Sequence, residues 1–335
     1  MRYCFWDALR DENNPAPYRA LTRRVTVWEG AEKQRYILRA EHVTRLWMGL
    51  AVGIGLAGCS GTPPFGGDAV DQGGADTDAG NVYLDEQNTF LSLNNISYDP
   101  GSDTLTLNNI PFDDPDNAYE RIGTEQFNNG FNAYQSAPAA GTNEIQYFAV
   151  FRRSDSGLTQ VAAAGTTAYI DFGYGGAGAQ RLGATPSLPA NGIYSYSGEY
   201  AGVRTSLNAG VNGENVVNYV TGDVELAVDF DDFDDTGTIG GFVTNRALYN
   251  DAGQPIGALD GFISLQDTTI DFATATTVTA DASEVVGGNI VRSGSWEGVL
   301  AGPGGTEVAG ILFVEGATGN ANNGIREVGG FIAER

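Results

Sequence analysis

The sequence predicts an all-β protein, an eight-stranded antiparallel β-barrel preceded by a smaller β-rich domain. Three observations lead there. Apolar and polar residues alternate in short runs, as in strands that bury one face of a sheet. Clusters of Gly, Pro, Asn and Asp separate the runs, and these residues favour turns through their backbone chemistry. No long stretch repeats its apolar residues at helical spacing.

The clearest series closes the chain. Trp296, Gly298 and Leu300 fall on one side of an extended segment, and Ser295, Glu297 and Val299 on the other. Gly302-Pro303-Gly304-Gly305 reads as a turn, and 308–314 and 328–333 as two further strands. Glycines inside such strands let backbones approach closely or let a barrel corner bend. Upstream, the run 223–230 is the sharpest, with Val224, Leu226, Val228 and Phe230 on one face and Asp223, Glu225 and Asp229 on the other. Segments 193–200, 238–248, 257–266 and 268–279 bring the strands of 187–335 to eight. Eight strands close a barrel that side chains can fill and that leaves no edge unpaired.

The smaller domain is expected over 81–186. Its strand candidates are 89–93, 104–107, 145–153, 158–164 and 167–172, with turn chemistry at 99–103. The glycine-rich stretch 173–178 is expected to be a hairpin turn, because no helix follows it as a dinucleotide loop requires. Arg152-Arg153 reads as a surface pair balancing nearby acids. Tyr119, Phe127, Phe131 and Tyr134 read as packing residues.

Charge narrows the chemistry. Of 18 basic and 42 acidic residues, nine and six lie in 1–58, so 59–335 holds nine basic and 36 acidic residues, a net of −27. All nine are Arg, and past residue 58 there is no Lys, His or Met and only one Cys. That excludes Ser-His-Asp and Cys-His catalysis, a Schiff-base lysine and ordinary zinc or copper sites. An acidic surface also repels nucleic acid, whose binding needs Lys and Arg against phosphates. No cofactor is expected. Asp231, Asp232, Asp234 and Asp235 form the one candidate calcium cluster, since hard carboxylates suit that ion. They lie at a strand-to-strand turn, where Asp is common without any metal.

The N-terminus reads as targeting sequence. Arg45 precedes an apolar run over 46–58, which is too short to span a bilayer as a helix. Leu56-Ala57-Gly58-Cys59 matches the bacterial lipobox, so Cys59 is the expected site of acylation and the new N-terminus. Several acyl chains would anchor the protein to a membrane permanently. Residues 1–42 lie upstream of a complete signal, and translation is expected to begin near Val43. Residues 59–80 read as a flexible, acidic tether.

The motifs also resemble a known family. Pro189 to Gly198 resembles the Pro-x-x-Gly-x-x-x-Tyr-x-Gly opening strand of transferrin-binding protein B-like surface lipoproteins. Val228-Asp229-Phe230, followed by Gly241-Phe242-Val243, resembles a hairpin of that barrel. The closing segments from Ser295 to Arg335 resemble its last strands. The resemblance implies a barrel over 187–335, a handle domain over 81–186, and a monomeric, non-catalytic binding protein. It further implies the outer membrane of a Gram-negative bacterium, exposure at the cell surface, an extracellular protein or solute as ligand, and a possible transporter partner. The chain departs from transferrin binders in having one handle–barrel unit rather than two, which speaks against transferrin itself. A structural envelope lipoprotein and a hydrolase working with carboxylates alone stay open as alternatives.

Overall fold

A computed structural model describes residues 80–84, 90–113, 117–123, 127–137, 145–169, 171–232, 236–316 and 324–335. Among the described residues there is no helix. The first sheet contains β1 (Val82–Tyr83), β2 (Asn95–Asp99), β3 (Thr104–Asn108), β4 (Ala118–Arg121), β5 (Asn132–Ser136), β6 (Phe148–Arg153), β7 (Thr159–Gly165) and β8 (Gly175–Arg181). Strands β2 to β8 follow one another as an antiparallel meander, and β1 adds beyond β8.

The second sheet is the expected barrel. Its wall is β9 (Ile193–Ser206), β10 (Val216–Asp232), β11 (Thr236–Tyr249), β13 (Phe262–Asp271), β15 (Ala280–Val286), β16 (Asn289–Ala301), β17 (Glu307–Glu315) and β18 (Ile325–Glu334). Two short strands, β12 (Pro255–Ala258) and β14 (Thr276–Thr277), add locally to β11 and β13. Closure comes from β18, which pairs with β9 around Gly202↔Gly329.

Which residues alternate cleanly follows from what covers each wall. Inside, Tyr196, Leu226, Val228, Ile239, Trp296 and Phe331 belong to one buried core. Outside, the first sheet lies against β9, β16, β17 and β18. There Ala201, Val203, Val299, Ile311 and Ile332 pack with Val150, Val161, Ala163 and Ala177. So β17, buried on both faces, is almost wholly apolar between its two Glu residues. The half of β10 that meets water outside keeps the strict alternation of 223–230. A third cluster, including Leu105, Tyr119, Tyr134 and Phe151, fills the far side of the first sheet. Polar ties cross between the sheets. Arg181, almost fully buried, donates from Nη1 to the carbonyls of Thr274 (3.1 Å) and Leu300 (3.0 Å). Ser156 and Thr159 both donate to the Glu307 carboxylate.

Four sequence expectations need correction. The stretch 173–178 is no turn, because Gly175–Arg181 is strand β8, buried throughout. Its glycines answer to crowding: a Cβ on Gly176 would stand 2.3 Å from the Ser92 carbonyl oxygen, and one on Gly178 2.7 Å from the Tyr83 ring. None of the described residues of the expected strand 167–172 lies in a strand, since Tyr169 (φ 74°) and Asp171 (φ 51°) are left-handed. The fifth barrel strand is β15, not 268–279. Asp271 accepts the N–H groups of Ala273 (2.8 Å) and Thr274 (3.3 Å), an Asx turn that ends β13 and lets the chain reverse. In the first sheet, the leading hairpin strand starts at Asn95, whereas Leu91 makes only an isolated bridge to Gly175. Strands β4 and β5, too short and polar to show a period, carry Tyr119 and Tyr134 into the core.

Candidate functional site

Residues that face outward on neighbouring strands line up in rows. Ser197, Glu225, Phe242 and Ser264 are successive register partners across β9, β10, β11 and β13. Glu199 stands opposite Asp223, and Ser195 opposite Ala227. The first row, with Ser195 and Ala227, floors a trough of about 740 Å³ on the barrel wall, and Glu199 and Asp223 continue it toward the first sheet. A second depression of about 440 Å³ reaches the first sheet through Arg152 and Asp155 and shares Ser197 and Glu225 with it. The two make one continuous surface.

A β-bulge shapes its middle. Ile239 pairs with Thr268 but Gly241 pairs with Leu265, so Gln266 and Asp267 both stand opposite Gly240. Bulges re-aim side chains and sharpen local twist. Here the Gln266 carbonyl turns inward and accepts the buried Trp296 indole N–H at 3.0 Å. The Asp267 carboxylate lies over Gly240, where an added Cβ would be 2.1 Å from Oδ1. The Gly240-Gly241 doublet therefore does two things: it lets the wall bend, and it leaves space for a carboxylate in the trough.

The ends of the trough differ in chemistry. Near the first sheet it carries Asp155, Glu199, Asp223, Glu225 and Glu334, against the single cation Arg152. Arg152 is held in place: it pairs with Glu199, donates to the Asn129 carbonyl at 3.2 Å and lies 5.8 Å from the centre of the Phe131 ring. Asn245 donates to Asp223 at 2.7 Å. Partial burial pushes the Glu334 carboxyl up, and Glu307 adds to this; Arg152 opposes, while Asp155 and Glu199 push further. A visiting cation would relieve that crowding. Beyond the trough, toward β15, the outer face of the wall turns apolar. Phe242 is 48% exposed and meets Phe262 edge-on at 5.6 Å. Phe262 pairs with Val285, which pairs with Ile290, itself 65% exposed. Exposed aromatics held in a rigid sheet are the usual energetic anchors of protein contacts.

No protein-family model and no curated protein matches the sequence. Solved structures do match. Transferrin binding protein B of Haemophilus parasuis Hp5, a vaccine antigen, matches in a single-mutant form with a TM-score of 0.39 and 14% identity, over 72% of this chain and 46% of that one. Its double mutant gives 0.37 and 14%, over 72% and 45%. Intact Ap-TbpB, with N and C lobes, gives 0.36 and 15%, over 71% and 45%. The chain thus spans less than half the length of each.

The residues singled out in the sequence lie elsewhere. Leu56, Ala57, Gly58 and Cys59, with Asp234 and Asp235, fall outside the described residues. Asp231 is exposed beyond the floor of the trough, and its N–H bonds Asp229 Oδ1 at 3.0 Å, a local turn contact. Asp232 ends β10. Among the described residues no three His, Cys, Asp or Glu side chains converge as a metal site. Arg152 is more than a surface charge, since it reaches across to the barrel. Sequence reasoning passed over Phe242, Asp267 and Glu225 as trough residues. Only the Gly240-Gly241 doublet hinted at them.

Proposed function

We propose that this chain is a non-catalytic binding protein whose trough captures a basic segment of an extracellular protein. It is anchored by acyl chains on Cys59 to a Gram-negative outer membrane, tethered by 59–80 and turned to the cell surface as a monomer. A transporter in the same membrane is its natural neighbour. The observation that carries the reading is the pairing of six carboxylates, Asp267 among them, with the exposed ring of Phe242 in one continuous groove. Carboxylates steer a cationic partner in and set its register, while aromatic anchors slow its release. Cys59 supports the anchor through its lipobox, and the acidic balance of 59–335 suits a basic ligand.

Octaarginine and octaglutamate serve as probes, with binding read by calorimetry at low and at physiological salt. Octaarginine should bind and octaglutamate should not, and added salt should weaken the complex. The double variant Asp223→Asn, Glu225→Gln should weaken octaarginine roughly tenfold, which corresponds to about 1.4 kcal/mol. Equal affinity of wild type and variant would remove the trough from the reading. Phe242→Ser should leave the salt dependence unchanged while shortening the lifetime of a complex with an arginine-rich peptide that also carries tryptophan.

A further inference from the structure

Inside the barrel, on the other side of the wall from the trough, lies a buried layer of charge. Arg204, Arg246 and Arg292 meet Glu284 and Glu327, all at most 6% exposed. Arg246 bridges both acids, with Nη1 at 2.8 Å from Glu284 and Nη2 bonded to Glu327. Arg204 pairs with Glu327 at 2.7 Å, and Arg292 with Glu284. The Tyr200 hydroxyl donates to Glu327 at 2.9 Å.

The layer does not balance. Three guanidiniums face two carboxylates, and an uncompensated buried charge is costly. Among the described residues, Arg204 and Arg292 each engage the protein through Nη1 alone, that of Arg204 also lying 3.6 Å from Glu284. Arg292 Nε is buried without any acceptor. Desolvation, and then the neighbouring Arg204, push the Arg292 guanidinium below its ordinary pKa. The Nε–Nη2 edge of a guanidinium is a planar fork that matches two oxygens of one oxyanion. Arg204 lies two residues from the end of β9, Glu284 two from the end of β15, and Arg292 three from the start of β16. The layer therefore lies close to one mouth of the barrel.

We propose that the barrel mouth binds a small oxyanion, a carboxylate or a phosphate, between the free edges of Arg204 and Arg292. The bound anion neutralises the layer. The test uses the full mature chain and three salts at equal ionic strength: sodium acetate, sodium phosphate and sodium chloride. Acetate or phosphate should raise the melting temperature saturably above the chloride value, and Arg292→Gln should abolish the rise. In wild-type protein the Arg204 and Arg292 side-chain Nε–H resonances should move with the same midpoint, a readout that stands even where the variant fails to fold. No rise over chloride, an equal rise in Arg292→Gln, or Nε–H resonances that stay in place would each overturn the site. Acetate acting without phosphate would assign it to carboxylates, and the reverse to phosphates.

Discussion

Glu327→Gln lowers the free energy of unfolding by about 3–5 kcal/mol, the cost of leaving a buried charge without its partner. Glu327 is fully buried and receives Arg204, Arg246 and the Tyr200 hydroxyl. An amide keeps the shape but raises the excess of the layer from one positive charge to two. Arg292→Met does the opposite and leaves two guanidiniums with two carboxylates, so it should cost less than about half as much. Urea unfolding in Tris chloride, followed by fluorescence of the buried Trp296, gives both numbers. Losses of equal size would show that the charge count of the layer does not govern its stability. The acid limb follows from Glu284. Burial raises its pKa, but Arg246, Arg204 and Arg292 together outweigh burial and hold it below the ordinary value. An acid depressed in the folded state stabilises above its unfolded pKa, about 4.3, and that contribution fades as pH falls toward the folded value. Glu284→Gln should therefore flatten the loss of stability below about pH 4, on top of a lower plateau.

How much of this was legible in the sequence depended on what covers each strand. Where one face meets water, as in 223–230, period two was plain and the inward set Val224, Leu226, Val228 and Phe230 was read correctly. Where both faces are covered, the period vanishes. In β8 it gave way to small residues, so a fully buried strand looked like a loop. Strand β15 alternates only in part, because its inward positions include Glu284, which a pattern of apolar residues cannot count. The ionic layer was hidden for a related reason. Its five members come from β9, β11, β15, β16 and β18, and only closure of the barrel brings them together. The trough escaped because Glu225 and Phe242 are neighbours across strands, not along the chain. The strand glycines, in contrast, were legible as close approaches, and their consequence can be measured.

Gly294→Ala should destabilise the barrel by about 3 kcal/mol, the upper end for a side chain forced into filled space. That is a fall in melting temperature of roughly 6–12 °C for a chain of this kind. Gly294 sits inward on β16, opposite Val314 of β17. A Cβ there would lie 2.0 Å from the Phe313 carbonyl oxygen and 2.8 Å from its carbon. These are backbone atoms of the paired strand, so no rotamer change can give way; the ladder itself must open. Gly241 is in the same position against Glu225, whose carbonyl oxygen would be 2.0 Å from the added carbon. At both, the backbone of the paired strand fills the space a Cβ would take, and glycines at such close approaches let a sheet bend and close into a barrel. Opening the ladder between β16 and β17 would also expose strand edges, so the variant should aggregate on heating where wild type does not. Gly257 in β12 supplies the control. Nothing lies within 4 Å of an added Cβ there, and its φ is not left-handed. Gly257→Ala should be neutral, or stabilise by up to about 1 kcal/mol through the unfolded chain. Equal melting temperatures for the Gly294 and Gly257 variants would mean that the β17 backbone does not close over Gly294, and that closure rests on turns and side-chain packing instead.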